Sequence, residues 1–221
     1  KLCAALGIVE TVRAEELSIE EWIELTRLVS SAPTFMESDA QDIHAEMFDV
    51  VDENDTAIGR ASRNDVHEQG FRHRAVHIFV FNAAGELFLQ KRSRWKDKHP
   101  QRWDSSAAGH VNADQEYDDT ARREIAEELG VEANPVEIGR VSASEKTGWE
   151  FLRLYRAEHE GPFRLHPAEI ESGGWFTLKQ VEEWTTARPH DFAPGFLECF
   201  RAFQADSQEL TRVGAVGIDL Q

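Results

Sequence analysis

The sequence predicts an α/β fold, a mixed sheet with helices on both of its faces, and three observations predict it. From Glu46 onward, short apolar segments alternate with turn residues. One of them, Val76-His77-Ile78-Phe79-Val80-Phe81, is apolar on both alternating faces, as suits a central strand covered on both sides. Strand-like segments are also interleaved with amphipathic helical ones, an order that layers helices on a sheet.

Taken in order, residues 1–45 read as a helical extension and linker, 46–205 as the main domain and 206–221 as a tail. Ser18 and Glu21 have capping-box spacing, and Ile19, Trp22, Ile23, Leu25, Leu28 and Val29 then recur at helical intervals. Residues 31–45 contain Pro33 and no clear period, which predicts a linker. Strands follow at Met47–Val51 and Ala57–Ala61 around a turn at Glu53-Asn54-Asp55. The turn Asn82-Ala83-Ala84-Gly85 joins the central strand to Glu86–Lys91 as a hairpin. A helix over Asp118–Leu129 ends at Gly130, placed where a left-handed residue is favoured. Val136–Ser142, Glu150–Ala157 and Gly174–Thr177 read as strands, and Leu178–Trp184 and Gly195–Ala205 as helices.

Composition narrows the function classes. Apolar residues make up 41% of the 221 and charged residues 29%, with thirteen Phe and six Trp, which is ordinary globular usage with enough bulk for a real core. The formal charge of −17 repels nucleic acid and anionic membranes, and it obliges any anionic ligand to find a local cationic site or a bound metal. Cys3 and Cys199 are too few for a disulfide framework or a thiolate zinc site, which suits a reducing cytoplasm. No apolar run approaches the ~20 residues of a membrane span, and Lys1–Val9 is too short and too weakly apolar to read as a signal sequence.

The chemistry concentrates in residues 109–131. At about 100° per residue, Glu124, Glu127 and Glu128 fall on one arc of a helix, and Ala121, Ile125 and Leu129 fall on the adjoining one. One stripe packs and the next offers oxygen ligands. Carboxylates at i, i+3 and i+4 repel one another, and a hard divalent cation turns that repulsion into binding, with Mg²⁺ or Mn²⁺ preferred over zinc by an all-oxygen set. Three Glu alone also suit a solvated acidic face. Just upstream, Lys91, Arg92, Arg94, Lys96 and Lys98 form the chief basic cluster of an acidic chain. It reads either as a diphosphate-binding element or as a solvated loop that offsets nearby acids over Trp95 and Trp103.

The stretch from Gly109 to Val131 resembles the Nudix box, Gly-x5-Glu-x7-Arg-Glu-apolar-x-Glu-Glu-x-Gly-apolar. Eight of its nine specified positions match: Gly109, Arg123, Glu124, Ile125, Glu127, Glu128, Gly130 and Val131. The resemblance implies the Nudix fold, an α/β/α sandwich, and metal-dependent hydrolysis of a nucleoside diphosphate derivative or other organic diphosphate. It assigns Glu124, Glu127, Glu128 and Arg123 to catalysis, and Glu124, Glu127, Glu128 and Gly109 to the metal. The departure is Gln115, where the family has a Glu that pairs with the box Arg; Gln115 can hydrogen-bond Arg123 but cannot neutralise it. Glu169, ahead of Trp175 in a segment similar to the post-box region of many Nudix proteins, joins Lys91, Arg92 and Lys96 as a candidate substrate-binding residue close to the attacking water.

A wider resemblance covers roughly residues 46–185, clearest at His67-Glu68-Gln69-Gly70-Phe71-Arg72-His73 and at Trp103 to His110. It is similar to the branch holding isopentenyl-diphosphate isomerases and their hydrolase relatives. By that resemblance His67, His73 and His110 form a second metal set. The isomerases need a Cys just before the Gly-His pair, where Ala107 and Ala108 stand here, so isomerase ranks below hydrolase. A ligand-binding domain without turnover is the third class, kept open by Gln115 and by the N-terminal helix, a surface for a partner or a homodimer.

Overall fold

A computed structural model describes residues 46–216, with side chains through residue 205. The predicted N-terminal helix, the linker and Cys3 lie outside the described residues. Two strands, β1 (Met47–Val51) and β2 (Ala57–Ser62), pair antiparallel as a separate hairpin, as their spacing predicts. Helix α1 (Arg63–Gln69) follows, which the periodicity does not reveal because it has only two turns. Its local signal is present all the same: the Ser62 hydroxyl accepts from the backbone N–H of Asp65 as an N-cap, and Gly70 closes the helix.

The main sheet has seven strands in the order β5-β4-β3-β8-β7, with β6 on β3 and β9 on β4. They are β3 (His73–Phe81), β4 (Leu87–Arg92), β5 (Trp103–Asp104), β6 (Ala107–His110), β7 (Val136–Val141), β8 (Glu150–Glu158) and β9 (Ile170–Phe176). The β3–β8 pair is parallel and the others are antiparallel, so the sheet is mixed. Every residue of β3 except Arg74 is buried. Its alternation divides the interior: Val76, Ile78 and Val80 meet Tyr117, Ala121, Ile125 and Leu129 on one face, while Phe79 and Phe81 meet Val181, Phe196, Cys199 and Phe200 on the other.

The first of those faces carries α2 (Tyr117–Glu124). The second carries α3 (Leu178–Ala187) and α4 (Pro194–Val216), the latter running beyond the predicted end at Ala205. The α/β/α layering expected from the sequence is therefore the fold. Strands β5 and β6 carry no alternating apolar pattern because they are only two and four residues long.

Two features of the sheet place the site. Strands β3 and β4 pair in register only at Phe81 and Leu87, and β6 enters the fork between them to pair with Ala75–Ile78. The Ser106 hydroxyl ties the fork, accepting from the Val80 N–H at 2.8 Å and donating to the Phe88 carbonyl at 2.6 Å. This sets the backbone of Ala107–His110 against the end of α2. There, over Ile125–Leu129, the helix widens from α to π bonding, a rearrangement often found at functional sites. The carbonyls of Glu128 and Leu129, left without helical partners, accept from the N–H groups of His166 and Arg164, both at 2.9 Å. Gly130 ends the turn at φ 67°, a conformation open to glycine at little steric cost.

Candidate functional site

Glu124 and Glu128, four residues apart, lie on one side of this helix end, and Glu127 stays on the rim. Glu124 and Glu128 are only 7% and 4% exposed, whereas the Glu127 side chain is 57% exposed and pairs with Arg123 at 2.9 Å. Glu128 accepts from the Gln90 side-chain amide at 2.9 Å and from the Ala108 N–H at 3.2 Å, so β4 and β6 both aim its carboxylate. Glu124 lies against Gly109: a Cβ at that position would fall 2.0 Å from Glu124 Oε1. This close approach is a physical reason for glycine at the head of the motif.

Arg123 holds the group from outside. Its guanidinium pairs with Glu124 at 2.9 Å and donates to the His110 carbonyl at 3.2 Å. Its Nε is buried with no hydrogen-bond partner, while Gln115 meets Thr120 at 3.5 Å instead of Arg123. Burial pushes the Glu124 carboxyl up to about 7 against the pull of Arg123, with Glu127 adding to the rise. Burial also raises Glu128 well above the carboxylate range, reinforced by the charges of Glu124 and Glu169. Burial and neighbouring charge thus disfavour ionisation of both carboxyls, and a hard dication is the ligand that favours their charged form.

The predicted cations separate. Lys96 forms an ion pair with Glu169, and the charges of both act on Glu124 and Glu128. Lys91 turns to Glu171 at 3.3 Å, and Arg92 is committed to the buried Asp104 at 2.9 Å and to the Lys98 carbonyl. Arg92 therefore holds the loop between β4 and β5 and Lys91 ties β4 to β9, whereas Lys96 and Glu169 join the carboxylate site. Burial works against ionisation of Glu169, yet Lys96 outweighs it and holds the carboxyl below its usual range.

His67, His73 and His110 come together from α1, β3 and β6, with one ligand atom from each within 4.8 Å of the others. The Nε2 atoms of His67 and His73 are buried without hydrogen-bond partners. His73 directs Nδ1 at the Phe71 carbonyl, 2.9 Å away, which places the proton on Nδ1 and leaves the Nε2 lone pair free. Burial lowers His67 and His110 to about 4, for His110 against the opposing pull of Glu150, so both are neutral at pH 7, the ligand form. Glu150, at the start of β8, completes the group at 3.2 Å from His110 and 3.6 Å from His73.

Sequence reasoning missed Glu150, Gln90 and Arg63. Arg63 contacts Glu46, Asp97 and, at 3.4 Å, His110 Nδ1. None of the three carries a local motif; each enters through strand register or an ion pair distant in sequence.

Comparison with known proteins identifies the family. The family model described as the NUDIX domain matches residues 71–196. An uncharacterized Nudix hydrolase of Yersinia pestis is 34% identical over 165 residues, covering 74% of this chain and 88% of that protein. The uncharacterized Nudix hydrolase YfcD of Escherichia coli K12 is 34% identical over 154 residues, covering 69% and 83%. An isopentenyl-diphosphate Delta-isomerase of Serratia proteamaculans is 32% identical over 172 residues, covering 74% and 94%. Among solved structures, DR0079 from Deinococcus radiodurans superposes with a TM-score of 0.59 at 28% identity, covering 65% of this chain and 90% of that one.

Proposed function

The chain belongs to the Nudix superfamily and is an enzyme of the Nudix hydrolase type, and from that premise we propose that Glu124 and Glu128 centre the active site of a metal-dependent hydrolase. Its substrate is a nucleoside diphosphate derivative or another organic diphosphate, cleaved at the diphosphate linkage. The observation that carries the reading is the burial of two facing carboxylates whose ionisation the protein alone disfavours.

Mg²⁺ or Mn²⁺ fits these oxygen donors, held by Glu124 and Glu128 beside Gly109 and with Glu127 at the rim, and when bound it neutralises phosphate charge and lowers the pKa of a water. Around it, Gln90 and the Ala108 N–H orient Glu128, and Arg123 orients Glu124 and Glu127. Lys96 supplies the ammonium for the diphosphate, and Glu169 lies close enough to act on the same charges. Arg92 supports binding by holding the loop that carries Lys96, and Lys91 by tying β4 to β9. The second set, His67, His73 and His110 with Glu150, offers three nitrogens and one oxygen, which suits a transition-metal cation better than Mg²⁺.

The isomerase reading is not favoured. Ala107 and Ala108 stand where the isomerases need a Cys, and Cys199 is a buried residue of α4, in the core on the opposite face of the sheet. Nothing in the acidic surface charge favours nucleic acid or an anionic membrane as partner, and no helix among the described residues is long and apolar enough to cross a membrane.

The test is incubation with nucleotide sugars, dinucleotides and isoprenoid diphosphates plus Mg²⁺. Phosphate-ester products are expected; mass-neutral conversion would indicate an isomerase, and thermal shifts without products a binding protein. Glu128→Gln should lower turnover by at least ~100-fold with the fold intact, and unchanged turnover would remove the helix from the mechanism.

A further inference from the structure

Within the basic cluster, Lys96 differs from its neighbours in where its counter-ion sits. Lys91 and Arg94 share Glu171, at 3.3 and 3.9 Å, and Arg92 is bound to Asp104, from where its charge still reaches Glu169. Lys96 is largely buried and pairs with Glu169, itself only a quarter exposed. The backbone secures the same contact: Ser93 N–H donates to the Glu169 carbonyl at 2.9 Å, and Lys96 N–H donates to the Ser93 carbonyl at 3.2 Å. Asp97, the next residue, is anchored to Arg63. The loop therefore presents Lys96 in a defined place, already neutralised.

An incoming anion must exchange with Glu169. Replacing one carboxylate by one phosphate on Lys96 gains little in itself, and it strands Glu169 near Glu124 and Glu128, where an unpaired, partly buried charge is costly. With Mg²⁺ held by Glu124 and Glu128, the second phosphoryl group of a diphosphate would reach that cation in the same event, a contact the single phosphate on Lys96 lacks. The internal carboxylate thereby penalises the smaller ligand more than the larger one, which is how unfavourable exchange creates selectivity.

We propose that Glu169 is a specificity-determining residue, an internal counter-ion of Lys96 that a diphosphate displaces and a single phosphate does not. The inference rests on the diphosphate-hydrolase reading of the site, and its test reads binding and not turnover.

The experiment is titration calorimetry on the full chain in excess Mg²⁺, with inorganic phosphate and the non-hydrolysable methylenediphosphonate as probes. The unaltered protein should bind the diphosphonate at least ~100-fold more tightly than phosphate, and Glu169→Gln should tighten phosphate by about tenfold or more while changing the diphosphonate less. Adding Lys96→Gln to Glu169→Gln should erase that gain. A merely structural role predicts the opposite sign, weaker binding of both probes. An unchanged ratio in folded Glu169→Gln, or a gain that persists without Lys96, would overturn the proposal. Should Glu169→Gln fail to fold, Glu169→Asp keeps the charge with a shorter reach and should give an intermediate ratio; a ratio equal to that of the unaltered protein again overturns it. Loss of the predicted turnover with the selectivity pattern intact would count against the hydrolase reading alone. Failure of the unaltered protein to prefer the diphosphonate would sink this proposal.

Discussion

The α-carbon of Gly109 and the carboxylate of Glu124 are packed so closely that a methyl group on residue 109 would land 2.0 Å from Glu124 Oε1. The contact joins the first and central positions of the motif across fifteen residues of sequence. Because the Glu124 end of the contact is the tip of a side chain, Gly109→Ala should leave the fold standing and push the carboxylate aside. The expected outcome is a stability change within ~1 kcal/mol and a Mg²⁺ affinity weakened by about tenfold or more. Calorimetric Mg²⁺ titration beside a denaturant melt measures both, and intact affinity would show the close approach to be incidental.

A pH dependence follows from the buried pair. Glu124 has its folded-state value raised from 4.5 to about 7, and Glu128 is raised well above its usual range. A raised carboxylate binds more protons folded than unfolded, so its stabilising contribution is complete below about pH 4.5 and is lost as pH rises through the folded value. The metal-free protein should lose stability between pH 5 and pH 8 on account of these groups. Mg²⁺ competes with the protons, so its stabilisation should be larger at pH 8 than at pH 6. Thermal melts with and without Mg²⁺ at the two pH values check this, and equal shifts would contradict the placement of the metal between these carboxylates.

Arg123 Nε is buried without a hydrogen-bond partner, and Gln115 occupies the motif position whose usual carboxylate pairs with that arginine. An unsatisfied buried donor on a charged group costs ~1–3 kcal/mol. Gln115→Glu should recover part of it and, by steadying Arg123 against Glu124, tighten Mg²⁺. Chemical denaturation and metal titration read the two effects; no change in either would make position 115 structurally idle.

The histidine set is testable without any substrate. His67→Ala removes one of two orphaned Nε2 atoms, and the protein purified from zinc- or manganese-supplemented cells should carry less transition metal by elemental analysis. The Mg²⁺ response at Glu124 and Glu128 should persist. Equal metal content before and after substitution would identify the histidines as packing groups that stack on Phe48, as His73 and His110 do.

How much of this was legible beforehand depends on the range of the interaction. Local signals were sufficient for the two-sided apolar run of β3, the amphipathic α2 with Gly130 at its end, and the motif from Gly109 to Val131, because each is a pattern of side chains along one stretch of backbone. Helix α1, at seven residues, is too short to show a period, and its local signal is the Ser62 cap.

By itself, then, the sequence determined the layers, the motif and the kind of donor it offers, since periodicity and spacing are properties of the chain alone. Only the folded chain decided that Glu124 and Glu128 turn inward while Glu127 faces water, because that depends on Gln90 and the Ala108–Gly109 backbone being packed against that side of the helix. It likewise decided that Lys96 and not Lys91 or Arg92 joins the carboxylates, and that Glu150 meets the histidines. Those choices are made by charges and backbone groups brought together by strand register, whose energies do not exist until the sheet has formed.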